Sequence, residues 1–399
     1  MNFYIVTLIK TGLVAIVLLT FCAYMTWIER KVLAHIQLRP GPYRVGPHGL
    51  LQPLADVIKL ITKEGVIPAG VNIFYFLLAP FLSVTLALIS IAVIPFGPVV
   101  EIFGVRTQMG LTDLDIGVLV VLAMSSLGVY GLVIGGWASN SKYSLMGSLR
   151  SSAQMVSYEL PMAMAIVAPL LLVNTLSFRE IVAAQDGFYF GLLPKWNVFA
   201  APFPQAFSFI LFMIAAFAET NRVPFDLPEA ETELVAGFHT EYSSTMFAAF
   251  FTAEYASITT ICCVGTLLFL GGWHPLWPAA YGSSFVPVAL FLGAALALFF
   301  HGAQAVRTRM WDRYTFPVFG LIFLGLAGIF LIPVLQPVLI PLFWFAAKTG
   351  ALIFLFIWVR GTLPRFRYDQ LMRFAWLTLF PAAVVNLLVT GLAVALTTK

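Results

Sequence analysis

The chain has 399 residues, with 22 basic and 18 acidic side chains, 60% hydrophobic and only 10% charged content, and a mean hydropathy of +0.94. That composition excludes an ordinary soluble domain, and the net charge of +4 shows no basic–aromatic clustering of the kind that binds nucleic acid. Apolar runs of about 18 or more residues read as membrane-spanning helices. The period-two alternation of a transmembrane barrel is absent.

The expected fold is therefore an all-α polytopic membrane protein, because a helix satisfies its own backbone in lipid. Ten spans are predicted in chain order, near residues 3–27, 73–97, 114–137, 155–176, 201–219, 244–271, 284–302, 316–334, 339–359 and 374–396. The first lacks a basic n-region and a small-residue cleavage site, so it reads as a retained helix. After it, RPGPYRVGP (39–47) is a turn-rich loop. Leu54, Val57, Ile58 and Ile61 then fall at i, i+3, i+4 and i+7, with Asp56, Lys59 and Lys63 on the other face. This is a short amphipathic helix, lying on the membrane surface or packed on a partner. The span 201–219 is the weakest, being short with prolines at its start.

Charge orients the spans. The loops 28–72, 138–154, 220–243, 303–315 and 360–373 hold sixteen Lys and Arg, against five on the other side. The first set is placed in the cytoplasm and both termini outside. One cytoplasmic stretch breaks the trend. ETNRVPFDLPEAETELVAGFHTEY (219–242) holds Glu219, Asp226, Glu229, Glu231, Glu233 and Glu241, six of the 18 acids, beside one base, Arg222. Asp226-Leu-Pro-Glu229 has the form of a helix start, so capping is one reading of those two, beside a proton-handling one. Glu229 and Glu233 share a helix face, where like charges repel and titrate together. Proton holding is one reading of the stretch; a solvated acidic loop that binds a basic partner is the other.

Among the ionisable residues within predicted spans, Glu159, Glu254 and Lys348 stand out, while Lys10 reads as a snorkelling side chain. Such groups are costly in a membrane and face polar cavities or one another. Glu159 also reads as a first-turn acid, and Glu254 and Lys348 as locally paired charges. Asp113 and Asp115 read as helix-start acids. The Arg residues of GTLPRFRYDQLMR (361–373) read as a cytoplasmic clamp or as plain membrane anchoring. Cys22, Cys262 and Cys263 lie in apolar segments, and His35, His48, His239, His274 and His301 lack ligand spacing. With no Gly-rich dinucleotide motif either, the chain is expected to bind no redox cofactor of its own.

These stretches, together with ERKVLAHIQLRPGPYRVGPHGLLQPLADVIKLITKE (29–64), GWASNSKYSLMGSLRSSAQMVSYE (136–159), FTAEYASI (251–258), LFLGGW (268–273) and WVRGTLPRFRYDQLM (358–372), resemble the H-type subunit family of the proton-pumping NADH–quinone oxidoreductase, complex I. The mitochondrial counterpart is subunit 1. The matches fall in order over most of the chain. The resemblance implies a bacterial inner-membrane subunit, not catalytic alone, that forms the quinone-access chamber and couples quinone reduction to proton translocation. It implies ubiquinone or menaquinone as substrate, with flavin mononucleotide and iron–sulfur clusters held by partner subunits. Those partners are the hydrophilic-arm quinone-site and iron–sulfur subunits, the small membrane subunits and the antiporter-like subunits. By motif position, Glu159, Glu219, Asp226, Glu229, Glu231, Glu233, Glu241 and Glu254 carry the proton coupling. Arg39, Arg44, Asp56, Lys59 and Lys63 match the segment that lines the quinone chamber.

The sequence departs from the family pattern in three places. Tyr43 stands where Asn is common in GPNRVGP, and His239 replaces another polar residue. Members commonly have eight core helices, whereas here an added hairpin is expected near 284–334 within one subunit-type domain spanning 1–399. It should pack peripherally, off the proton route. Two other readings are weighed: the homologous membrane subunit of a hydrogenase complex, and a lone cation transporter. The second lacks the inverted repeat many transporters show.

Overall fold

The computed structural model describes residues 3–102, 105–201, 203–226, 236–304 and 310–397. Nine helices among the described residues are long and apolar enough to cross a membrane, so the chain is an all-α multi-pass membrane protein. In chain order the helices are α1 (Phe3–Ile36), α2 (Gln52–Thr62), α3 (Ile73–Ala92), α4 (Gly117–Ala138), α5 (Lys142–Val173), α6 (Phe178–Ala184) and α7 (Ala206–Glu219). Then come α8 (Ser244–Phe269), α9 (Val286–Gln304), α10 (Met310–Phe330), α11 (Gln336–Thr362), α12 (Tyr368–Phe374) and α13 (Phe380–Thr397). A π-helical turn, Ala375–Leu379, joins the last two into one span. Two small antiparallel hairpins, Val99–Ile102 with Val105–Gln108 and Phe188–Tyr189 with Leu193–Pro194, lie in loops on the opposite side to the acidic stretch.

Several expected boundaries move. α1 continues to Ile36, so Glu29, Arg30 and Lys31 are helical. α5 begins at Lys142, which turns the expected loop 138–154 mostly into helix. Glu159 therefore sits about five turns into α5 and is not a first-turn acid. The helix carries Pro161 and Pro169 and ends on Asn174 in the left-handed conformation, whose N–H caps the Leu170 carbonyl.

α7 is short, at 14 residues. It spans about 21 Å, well under a hydrocarbon core of about 30 Å. Its end, and the loop after it, consequently lie inside the protein: Glu219, Thr220, Arg222 and Asp226 are all buried. Irregular backbone at that depth is tolerated because other helices surround it. α5, α7 and α8 form the centre of the bundle, with the apolar core running from Met162 and Ile166 to Phe212, Leu267 and Phe269. Buried Gln154 on α5 donates to the carbonyls of Ala218 (2.8 Å) and Phe225 (2.7 Å), stapling the loop at both ends. Phe366 N–H donates to Pro224 O at 3.0 Å from the far side.

Close approach also positions the turn Gly237–His239. A Cβ at Gly147 of α5 would lie 2.8 Å from Gly237 Cα and Phe238 N. Gly147→Ala is expected to displace that turn and cost about 1–3 kcal/mol, measured as a lower melting temperature of the purified complex; an unchanged melting temperature would show that the turn gives way freely. Tyr242, just beyond, donates its phenol towards Phe76 O at 3.2 Å and Gly135 O at 3.4 Å. Burial holds that phenol above its ordinary pKa, so it stays a neutral donor.

α2 is the amphipathic helix expected. Its apolar face turns outward, with Leu54, Val57, Ile58 and Ile61 all exposed on this chain. Ser244 Oγ, at the start of α8, donates to Leu60 O and Lys63 O, each at 2.8 Å, satisfying carbonyls at the helix end.

Candidate functional site

The loop after α7 places one base among acids from other elements. Arg222 Nη1 lies 3.3 Å from Glu29 Oε1 of α1, and its Nε lies 2.5 Å from Glu254 Oε1 of α8. The guanidinium stacks 4.5 Å over the Tyr255 ring. Tyr255 in turn donates its hydroxyl to Glu29 Oε2 at 2.8 Å. Arg360, near the end of α11, closes the cluster as a second ion-pair partner of Glu29. A buried carboxylate held by two guanidinium groups and a phenol has its lone pairs met, which is the condition for keeping charge in an apolar interior.

Asp226, at the end of the described part of this loop, pairs with Arg365 at 2.8 Å. The helix start expected for Asp226-Leu-Pro-Glu229 falls on residues outside the described ones, as do Glu229, Glu231 and Glu233. The Arg365 pair gives Asp226 a role in addition to the capping expected from the sequence. Asp226→Ala is then expected to cost more than the ~1 kcal/mol of a lost cap, rising toward ~3 kcal/mol for a partner removed from a largely buried pair. A double-mutant cycle with Arg365→Ala, read from thermal stability of the complex, checks this. Strictly additive losses would remove the pair from the account.

A second set of acids lies one layer further in. Ser125 Oγ of α4 donates to Glu219 Oε1 at 2.6 Å, and its neighbour Ser126 donates to Glu159 Oε1. Adjacent serines thus bring two carboxyls from different helices within electrostatic reach of each other. Glu219 Oε2 is buried and has no hydrogen-bond partner among the described residues. Glu219 and Glu254 both line one cavity of about 140 Å³, shared with Ser83, Ser90, Asn221, His239 and Thr260. With roughly 30 Å³ per water, the cavity has room for about four. The lining is mainly apolar, and the two carboxyls with Ser83, Ser90, Asn221, His239 and Thr260 are among its polar groups. Glu241 is half-buried between the Gly237–His239 turn and α8, and does not line this cavity.

The residues matched to the quinone chamber separate into two groups. Arg39 and Arg44 line an open pocket of about 960 Å³ with Lys31, His35, Tyr43 and His48. Asp56 is held outside it by Arg30 (2.9 Å), Gln52 (2.9 Å) and more loosely Lys59 (4.0 Å). Lys59 and Lys63 are exposed at α2 and do not line the pocket.

Other charged residues have local explanations. Asp113 pairs with Arg179 at 3.2 Å on the opposite side of the bundle. Lys348 donates to the carbonyls of Leu270 (2.6 Å) and His274 (2.8 Å) and lies 4.5 Å from the Trp196 ring. It closes the C-terminal end of α8, so backbone carbonyls take the place of the local carboxylate expected for it. His274 nearby is half-buried, and that partial burial lowers its pKa, with Asp186 opposing the shift.

Glu29, Gln154 and Tyr255 were not singled out from the sequence. Glu29 is one acid in ERK, and only the extension of α1 past residue 27 places it inside the bundle. No group of three or more His, Cys, Asp or Glu among the described residues has metal-holding geometry.

A family model described as NADH dehydrogenase matches residues 9–391. The NADH-quinone oxidoreductase H 1 subunit of Solibacter usitatus is 65% identical over 398 residues, covering 100% of this chain and 99% of its own length. The H 2 subunit of the same enzyme from Koribacter versatilis is 46% identical, covering 99% and 98%. A third relative, the H 2 subunit from Geobacter metallireducens, is 42% identical over 99% and 97%. With a family model spanning nearly the whole chain and relatives this similar end to end, the chain belongs to the H-type subunit family of NADH–quinone oxidoreductase, a membrane subunit of complex I.

Proposed function

We propose that this chain forms the quinone-access chamber of its complex and couples quinone reduction to proton translocation through buried carboxylates. The observation that carries the reading is the cavity shared by Glu219 and Glu254, joined on one side to the Arg222–Glu29–Arg360 cluster and on the other to Glu159. Reducing a quinone by two electrons consumes two protons, so charge changes at the chamber must be balanced nearby. Arg222 lies between Glu29 and Glu254, so protonating either acid strengthens its hold on the other. Such a shift passes to Glu219 through the common cavity and to Glu159 through the Ser125–Ser126 pair. Acids held this closely titrate as a set. By motif position, Asp226, Glu229, Glu231, Glu233 and Glu241 are assigned to the same coupling role.

The pocket of Arg39 and Arg44 is read as the chamber's mouth, with Asp56, Lys59 and Lys63 flanking it at α2. The outward apolar face of α2 suits lipid and an isoprenoid tail equally. The chain acts as a non-redox-centre subunit: flavin mononucleotide and iron–sulfur clusters belong to hydrophilic-arm partners, and ubiquinone or menaquinone is the substrate. Small membrane subunits and antiporter-like subunits complete the membrane arm. The location is the bacterial inner membrane, with the acidic loop cytoplasmic and both termini outside. The hairpin near 284–334 is an addition to the eight-helix core and lies off the proton route; none of its described residues lines the carboxylate cavity.

Purifying the tagged chain from native membranes in mild detergent tests the assembly. Flavin, iron–sulfur and antiporter-like subunits with inhibitor-sensitive NADH–quinone activity are expected. A nickel–iron hydrogenase partner, or a chain stable alone, would contradict the reading.

A further inference from the structure

The added hairpin is more than a lipid-facing appendage. α9 and α10 pack mainly on each other and only lightly on α11, and side chains such as Leu290, Phe300 and Leu321 remain exposed. Near its N-terminal end, however, α10 reaches back to the loop that follows α1. His48 Nε2 lies 3.1 Å from Thr315 Oγ1. The His48 ring stacks on Phe316 at 4.8 Å between centroids and 16° between planes.

His48 is an unusual residue to hold in place. Its φ of 53° lies in the left-handed region, between Gly46 at 70° and Gly49 at 76°. Glycine enters that region freely; histidine does so more readily than most side chains but still at a cost that its surroundings offset. The contacts from α10 supply that offset. On its other side His48 meets the Tyr43 ring edge-on at 5.6 Å, and Lys31 Nζ lies 5.7 Å from the same ring. Phe316, His48, Tyr43 and Lys31 thus form a continuous run from the hairpin to the wall of the Arg39–Arg44 pocket, which His48, Tyr43 and Lys31 line. Tyr43 and the hairpin, both singled out in the sequence, thus meet at His48.

We infer that the α9–α10 hairpin fixes the conformation of the loop 39–49 by clamping His48 between Thr315 and Phe316, so that His48 and Phe316 are positioning residues for quinone entry. This rests on the reading of the Arg39–Arg44 pocket as the chamber's mouth. A loosened loop would weaken quinone capture while leaving chemistry at saturation intact.

The test uses the intact complex in native membranes, with a short-chain ubiquinone analogue as substrate. His48→Ala and Phe316→Ala are each expected to raise the quinone KM about 3- to 10-fold, with kcat within about twofold. The double variant should be no worse than the stronger single one, because both break one stack. Phe316→Tyr, which keeps the ring, should retain the wild-type KM. Arg44→Ala serves as the control on the pocket itself. If Arg44→Ala raises KM while His48→Ala and Phe316→Ala do not, the clamp is wrong and the pocket reading stands. If none of the three moves KM, both fall. Should His48→Ala lower the amount of complex, Phe316→Ala decides: equal loss of quinone-dependent and artificial-acceptor activity, with KM unchanged, would make the contact structural only and overturn the inference.

Discussion

Replacing Arg222 by methionine is expected to remove most of the assembled complex from the membrane. The side chain is buried, lies 3.3 Å from Glu29 and 2.5 Å from Glu254, and covers the Tyr255 ring. Methionine fills much of the volume and none of the charge. Glu254 then loses its guanidinium neighbour, and Glu29 keeps only Arg360 and the Tyr255 hydroxyl. Breaking a buried pair from one side costs about 3–5 kcal/mol, where an exposed pair costs less than about 1. That is a large part of the stability of an ordinary domain. Arg222→Lys restores charge but not the fork that reaches two carboxylates, so it should fall between. Complex content on native gels, with thermal stability of what assembles, measures the effect. Wild-type content and stability in Arg222→Met would show that the cluster does not hold the loop.

The second large effect is expected at Glu219, and it is functional. Glu219→Gln keeps the shape and an oxygen for Ser125 to donate to. Stability should change by only about 1 kcal/mol, so the complex should assemble. What is lost is the ability to take and release a proton in the cavity shared with Glu254. Proton translocation and the quinone reduction tied to it should fall together, by roughly tenfold or about 1.4 kcal/mol in barrier. NADH–quinone turnover and proton uptake measured in the same vesicles give both numbers. Full turnover with full pumping would take Glu219 out of the route. Ser125→Ala, which removes only the hydrogen bond, should have a smaller effect in the same direction.

How much of this was legible in the sequence differs by element. The helical membrane architecture was, because apolar runs and the basic bias of one set of loops follow from lipid physics. The weakness of 201–219 was visible as prolines before a short run, and it proved to be what brings Glu219 to Asp226 into the interior. The pattern on α2 marked an apolar face turned to lipid or to a partner, and this chain does leave that face uncovered. The start of α5 was missed because residues 142–154 are polar and read as a loop. They are helical because Ser144, Ser148, Ser151 and Gln154 are buried against the bundle, with Gln154 bonding the loop after α7. Glu29 was missed for a related reason. Its partners come from positions 222, 255 and 360, and no local pattern encodes a pairing across such distances in the chain. Glu254 and Glu159 were visible as acids in apolar runs. Their partners, Arg222 and Ser126, were not.

The claim at the centre is that a carboxyl in the buried cavity changes protonation when quinone is reduced. Redox-induced infrared difference spectroscopy of the intact complex measures that directly, comparing wild type with Glu219→Gln. Reduction with excess quinone present should produce a carboxyl C=O difference band in the wild type that is missing or much diminished in the variant. Identical carboxyl bands in the two spectra, with quinone turning over in both, would contradict proton transfer through Glu219.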